Sequence, residues 1–212
     1  MERLAVSPAD PEPWALAFAA DVLLRGGLVV FPTDTLYGLA CDPRNADAVE
    51  RVYRTKGRLA GQAFPRALPL VAASLQQVEA VAVRLSPLTR RLAERFWPGP
   101  LTLVVDVGPG IVEAVHAGLG TVAVRVPNHA VARGLAAHAG FPVVSTSANR
   151  SQQPATSTVE TAIDALGDVI DLALDGGPTV GGAPSTIVDA RTDVPRLLRE
   201  GAVPFSRVLE SL

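Results

Sequence analysis

The apolar run Leu28-Val29-Val30-Phe31 has the pattern of a buried strand. Pro32 has no N–H to offer a ladder and ends it. Thr33, Asp34, Thr35 and Tyr37 then stand at the strand's exit, where ligands sit in α/β folds. Upstream, Trp14, Ala17, Phe18, Ala20, Val22 and Leu24 predict a helix. Asp10 is its expected N-cap, with Pro11 at the first position, and Gly26-Gly27 ends it. Downstream, Asn45 is expected to cap a second helix. Its apolar face is Val49, Val52 and Tyr53, and it ends at Lys56-Gly57. Residues 59–66, with Gly61 and Pro65, are irregular and read either as a mobile loop over a site or as a plain surface insertion.

The rest of the chain alternates in the same way. Strands are expected at 68–73, 101–107, 121–126, 142–144, 169–174, 186–189 and 196–199. Helices are expected at 76–83, 86–96, 129–138 and 158–166, with a short one after Pro204. Ser86 and Pro87 give a strong N-cap and first position, and Trp97-Pro98-Gly99-Pro100 breaks that helix sharply. Residues 152–157 read as a polar loop and 175–184 as a glycine-rich one. Several strands follow one another late in the chain. The prediction is therefore an α/β protein with a mixed, strongly twisted sheet and helices packed outside, not a doubly wound parallel sheet. No repeat, low-complexity tract or linker divides residues 1–212, so one domain is expected.

Composition narrows the classes. Apolar residues make up 48% of the chain, enough for a substantial core, and the net charge of −2 excludes a nucleic-acid polycation overall. The single cysteine, Cys41, excludes an internal disulfide and a cysteine-based zinc site. His116, His129 and His138 lack metal-ligand spacing. There is no signal-peptide pattern, and no apolar run approaches the ~20 residues that span a membrane, so a soluble cytoplasmic protein is expected. Eighteen arginines accompany a single lysine, Lys56. Either this is chance, or that position requires a compact point charge rather than a planar fork.

Familiar catalytic templates are missing: no phosphate-binding glycine loop opens a helix, and no serine elbow or paired carboxylate is visible. What remains is cationic and hydroxyl-rich. Arg125 sits inside an apolar strand and must face solvent or an anion. Lys56, Arg58, Arg125 and Arg199 can bind phosphates and a carboxylate; Thr35, Ser145, Ser147, Asn149 and Ser185 can orient a small polar ligand. Such a set suits phosphoryl or nucleotidyl transfer, with Mg2+ held largely by the phosphates. The residues alone point to a site for a phosphorylated ligand.

Seven segments in order resemble the successive motifs of the YrdC family. They are Pro32-Thr33-Asp34-Thr35-Leu36-Tyr37-Gly38, Lys56-Gly57-Arg58, Phe96-Trp97-Pro98-Gly99-Pro100-Leu101-Thr102, Thr121-Val122-Ala123-Val124-Arg125-Val126-Pro127, Ser145-Thr146-Ser147-Ala148-Asn149, Pro184-Ser185-Thr186-Ile187-Val188-Asp189 and Leu198-Arg199-Glu200-Gly201. Each is weak alone, but the ordered set is specific. It spans roughly residues 26–201, within a motif-bearing core of about 14–201.

The resemblance implies a twisted mixed α/β sheet around an open, concave, cationic cavity. It also implies the synthesis of L-threonylcarbamoyl-AMP and pyrophosphate from L-threonine, bicarbonate and ATP, for threonylcarbamoyladenosine in tRNA. By the same resemblance, Thr35, Arg125, Ser147 and Ser185 would hold threonine, with Arg125 on its carboxylate. Lys56, Arg58, Thr121, Ser145, Asn149 and Arg199 would line the ATP side, Lys56 and Arg58 offsetting charge on the phosphates. A separate threonylcarbamoyl transferase complex would take the labile product.

The chain departs from the family pattern at several positions. Leu59 replaces a proline and about six extra residues precede Pro69-Leu70. Leu68 and Ala73 stand where a polar ATP contact and a threonine-contacting histidine often sit. Ser151-Gln152 replaces Ser-Gly, and Ala155 a frequent serine. Each loss removes about one polar contact, roughly 0.5–3 kcal/mol. The alternatives are a paralogue with another carbamoyl or carboxylated substrate, and a non-enzymatic module that binds double-stranded RNA.

Overall fold

The computed structural model describes residues 1–57, 67–150, 153–154 and 156–212. In chain order its strands are β1 (Glu2–Ala5), β2 (Val29–Phe31), β3 (Gly38–Ala40), β4 (Leu70–Val71), β5 (Leu101–Asp106), β6 (Thr121–Arg125), β7 (Val143–Val144), β8 (Thr146–Ser147), β9 (Leu172–Asp175), β10 (Thr186–Asp189) and β11 (Arg196–Arg199). The helices are α1 (Pro13–Leu24), α2 (Ala46–Thr55), α3 (Leu75–Glu79), α4 (Pro87–Phe96), α5 (Glu113–His116), α6 (Ala130–Ala139), α7 (Val159–Leu166) and α8 (Phe205–Leu209). No helix among the described residues is long and apolar enough to cross a membrane.

The strands form two mixed sheets, ordered β1-β9-β2-β3-β8 and β11-β10-β5-β6-β4-β7. The first is parallel from β1 to β2 and antiparallel beyond. The mixed character is as the sequence predicts; the division into two sheets is not. Residues 143–147 stitch the two together, because β7 edges one sheet and β8 the other. The Val144 N–H donates to the Cys41 carbonyl at 3.0 Å, and the Ser145 N–H donates to that of Pro69 at 2.8 Å. Ser145 therefore lies where the sheets meet.

Alternation in β2 shows why its run is apolar throughout. Leu28 and Val30 pack into the layer that includes α2 and α7. Val29 and Phe31 pack into the layer formed with α1 and α6. Both faces are covered, each such side chain contributing roughly 1.5–3 kcal/mol. A third cluster packs Leu88 and Leu92 of α4 and Val208 of α8 against Leu101, Leu103 and Val188.

Helix starts follow the expected side chains with one exception. Asn45 Oδ1 accepts from the Ala48 N–H at 3.1 Å, and Ser86 Oγ accepts from the Thr89 N–H at 2.9 Å. In α1 the cap is Glu12 and the first residue is Pro13, not Asp10 and Pro11. A start at Pro11 would put Glu12 in helical conformation directly before a proline, which the ring opposes. Glu12 is extended instead, at ψ 122°.

The buried face of α1 holds mostly small residues. Trp14, Phe18 and Leu24 are exposed, and Ala15, Leu16, Ala19, Ala20 and Leu23 are buried. The seam needs small residues because α6 approaches closely: a Cβ at Gly134 would stand 2.5 Å from Leu16 Cδ1. The expected strand at 68–73 shortens to β4, and the helix at 76–83 to α3. The strand expected at 169–174 begins only at Leu172, since Gly167–Val169 is a 3-10 turn. β1, β3 and β8 have no counterpart in the sequence reading. The expected loop at 59–66, and residues 151, 152 and 155, lie outside the described residues.

Candidate functional site

The chain leaving β2 turns back at once into β3, and Thr33, Thr35, Leu36 and Tyr37 of that turn form one wall of a cavity of about 500 Å3. Thr33 holds the turn. Its hydroxyl donates to the Leu36 carbonyl at 2.7 Å and accepts from the N–H groups of Thr35 and Leu36 at 3.2 Å. Its proton is thus committed, whereas the Thr35 hydroxyl can still turn its own into the cavity. Gly38 keeps the space open. A Cβ there would stand 3.0 Å from the Phe31 ring and 3.1 Å from Ser145 Oγ.

Tyr37 points away from the turn into the glycine-rich segment. Its hydroxyl donates to the Gly177 carbonyl at 2.7 Å and accepts from the Gly176 N–H at 3.3 Å. Burial pushes the phenol up to about 12, so it remains a donor at neutral pH. The segment is tied back to the turn by the Gly181 N–H, which donates to the Thr35 carbonyl at 3.0 Å.

Arg125, the last residue of β6, is buried and points at an anion, and that anion belongs to the protein. Its Nη1 pairs with Asp34 Oδ1, and its Nη2 donates to Thr33 Oγ1 at 3.2 Å and Thr35 Oγ1 at 3.3 Å. The opposite wall comes from β10 and β11. Ser185 Oγ accepts from Thr102 Oγ1 at 2.8 Å and from Arg199 Nη2 at 3.1 Å, which leaves its proton for a ligand. Arg199 also donates to the Ser185 carbonyl through Nε and Nη2. Burial, and then the Arg125 charge, pull its pKa below the ordinary arginine value. Two guanidinium groups therefore share one cavity, with hydroxyls between them.

Thr35, Arg125, Ser145, Ser147, Ser185 and Arg199 all line this space. Lys56 and Asn149 are not among the lining residues. Lys56, 2% exposed, donates from Nζ to Ser147 O at 2.8 Å, Ser147 Oγ at 3.2 Å, Asn149 O at 2.5 Å and Asn149 Oδ1 at 2.9 Å. These oxygens surround a point, which suits an ammonium better than a planar fork. Thr121 begins β6 at the end opposite Arg125 and is not in the lining. Arg58 lies outside the described residues. Leu68, fully buried, is a core residue, while Ala67 and Pro69 line the cavity.

The sequence reading gave Thr33, Asp34, Tyr37 and Thr102 no role. All four belong to the quoted motifs, so their place was visible while their long-range partners, more than eighty residues away, were not. A second cavity, about 340 Å3, is lined by Arg51, Arg54 and Arg150, but those arginines are engaged. Arg51 holds Asp171, Arg54 holds Glu50, and Arg150 donates to the Ala165 carbonyl. Among the described residues no group of three or more histidine, cysteine or carboxylate side chains is arranged to hold a metal.

The Sua5/YciO/YrdC family model, described as "Telomere recombination", matches residues 21–201. Threonylcarbamoyl-AMP synthase of Pyrococcus abyssi is 36% identical over 199 residues, covering 93% of this chain and 57% of that protein. The Bacillus subtilis protein of that name is 37% identical over 206 residues, covering 96% and 57%. This chain thus spans 57% of the length of these two curated relatives. Among solved structures, P. abyssi Sua5 complexed with L-threonine superposes with a TM-score of 0.92 at 34% identity, over 100% of this chain and 61% of that one. Escherichia coli YciO superposes with a TM-score of 0.84 at 25% identity, over 96% and 98%. With the model spanning most of the chain and the same fold in these structures, the chain belongs to the Sua5/YciO/YrdC family.

Proposed function

We propose that this chain is an L-threonylcarbamoyl-AMP synthase, acting as a single domain over residues 1–212. Its substrates are L-threonine, bicarbonate and ATP, the last entering as its Mg2+ complex. The observation that carries this reading is convergence. Thr35, Arg125, Ser147 and Ser185, from four distant parts of the chain, line the same cavity as Ser145 and Arg199. Its volume falls in the range of small-molecule sites. The relative of known structure that was solved with L-threonine supports assigning the amino acid here.

In this reading the threonine carboxylate pairs with Arg125, and the hydroxyls of Thr35, Ser147 and Ser185 orient the amino acid. Bicarbonate takes up a proton and loses water to give CO2; the threonine amine bonds to its carbon and releases a proton, giving a carbamate. A carbamate oxygen attacks the α-phosphorus of ATP; the bond to the bridging β-oxygen breaks, and pyrophosphate leaves with that electron pair. The residues hold the two reactants together and offset phosphate charge. Arg199 and Ser145 meet ATP from the cavity wall, and Arg58, Asn149 and Thr121 are assigned to the ATP side by their motifs alone. Lys56 adds its charge from behind the 147–149 segment. The product feeds a separate threonylcarbamoyl transferase complex acting on tRNA in the cytoplasm.

The apolar residues at 67, 68 and 73 favour one second reading, a paralogue that carbamoylates a different amine. Pyrophosphate release measured across a panel of amino acids separates the two. Selective stimulation by L-threonine supports the synthase, and stimulation by another substrate supports the paralogue.

A further inference from the structure

Asp34 neither lines the cavity nor has an assigned role, yet it is the charged partner of the residue on which the threonine assignment rests. Both side chains are about nine-tenths buried, at 9% exposure for Arg125 and 11% for Asp34. The carboxylate is itself fixed at both ends. Oδ1 takes Arg125 Nη1, and Oδ2 accepts from the Asn128 N–H at 3.0 Å, in the loop that follows β6. Asp34 therefore ties the turn after β2 to the end of β6, and the guanidinium lies between.

We propose that Asp34 is the positioning residue for Arg125, setting the guanidinium in place so that its remaining donors meet the carboxylate of the amino-acid substrate. This rests on the reading of Arg125 as the carboxylate-binding group. A buried guanidinium without an anion is costly, and one that can swing is a poor carboxylate receptor. Without Asp34 the remaining contacts on Nη2 are two hydroxyls beyond 3.1 Å. Arg199 would also repel Arg125 across the cavity with no carboxylate paired to Arg125 to offset its charge. Asp34 offsets that repulsion and leaves the two cations fixed at opposite walls. Its own repulsion of an incoming carboxylate is the smaller effect, because Asp34 sits behind the guanidinium and outside the lining.

The test is steady-state pyrophosphate release by wild type, Asp34→Asn, Asp34→Glu, Arg125→Ala and the double variant Asp34→Asn/Arg125→Ala. Asp34→Asn is expected to raise the KM for L-threonine about 10-fold or more, with kcat within about 3-fold of wild type and the KM for ATP unchanged. Asp34→Glu keeps the charge one methylene further out and is expected to fall between. In the Arg125→Ala background, adding Asp34→Asn is expected to change nothing further, because the two residues act as a unit. A purely structural role would raise both KM values, and its effect would persist in that background. An unchanged or lowered threonine KM in Asp34→Asn, with an active wild type, overturns this inference alone. Absence of threonine-dependent release from wild type overturns the functional reading, and this inference with it.

Discussion

Lys56 Nζ lies 2.9 Å from Asn149 Oδ1, although 93 positions separate the two residues in sequence. The contact joins the C-terminal end of α2 to the segment that follows β8 and presents Ser147 to the cavity. Asn149 is in turn fixed by its amide, which donates to the Gln153 carbonyl at 2.6 Å and the Pro154 carbonyl at 3.1 Å. The single lysine of the chain thus organises one wall of the site from behind.

Lys56→Met removes the donor from the Asn149 carbonyl and takes one of two donors from the Ser147 carbonyl and from Asn149 Oδ1. A loss of about 3 kcal/mol in stability is expected, with activity reduced by more than about 100-fold. Lys56→Arg is not expected to restore either, because a planar fork does not fit oxygens arranged around a point. Thermal denaturation of both variants checks this; a wild-type Tm in Lys56→Arg would contradict it.

Gly201 lets the chain after β11 pass against the Ser185 wall. An added Cβ would stand 2.1 Å from the Pro184 carbonyl oxygen and 2.7 Å from the Ser185 carbonyl carbon. Backbone must therefore move, carrying the Ser185 acceptors away from Arg199. Gly201→Ala is expected to cost about 1–3 kcal/mol and to weaken ligand binding at the Ser185 wall. Denaturant titration and L-threonine calorimetry on the same variant report the two effects.

Tyr37→Phe leaves the Gly177 carbonyl and Gly176 N–H without the phenol, at an expected cost of about 1–3 kcal/mol. Hydrogen exchange should rise at residues 176–177 before it rises in β2. The phenol pKa is raised by folding, so the ionised form favours the unfolded chain. Its contribution is complete below pH 10 and is lost as pH climbs towards about 12. Alkaline unfolding curves should therefore lose that component in Tyr37→Phe.

His129, at the start of α6, has no partner at Nδ1 among the described residues. Burial lowers its pKa, and the Arg133 and Arg125 charges add to this against the pull of Asp34. The unfolded chain then takes up a proton at this position first, so stability is full above pH 6.5 and falls as pH drops below it. Chemical denaturation between pH 7.5 and 5 should show that slope in wild type and a smaller one in His129→Gln.

Much of this was legible along the chain because it is local. Asn45 and Ser86 announce their helices through a side chain and an N–H three residues on, and the apolar run at 28–31 needs no distant partner to read as a strand. What escaped depends on distant geometry. The choice of Pro13 over Pro11 turns on the conformation of Glu12. The exposure of Trp14 and Phe18 follows from how closely α6 approaches. β3 and β8, three and two residues long, are too short to carry a period. At the site, the hydroxyls and cations were visible as residue types, and six of them meet in one cavity. That Arg125 already holds Asp34, and Lys56 the 147–149 segment, required the fold.

The most direct test of the central claim is mass spectrometry of the product formed from ATP, Mg2+, L-threonine and 13C-bicarbonate. A threonine–AMP adduct carrying one 13C is expected, formed in equal amount with pyrophosphate and absent when threonine or bicarbonate is omitted. Pyrophosphate release that ignores threonine, or an adduct without the label, would contradict it.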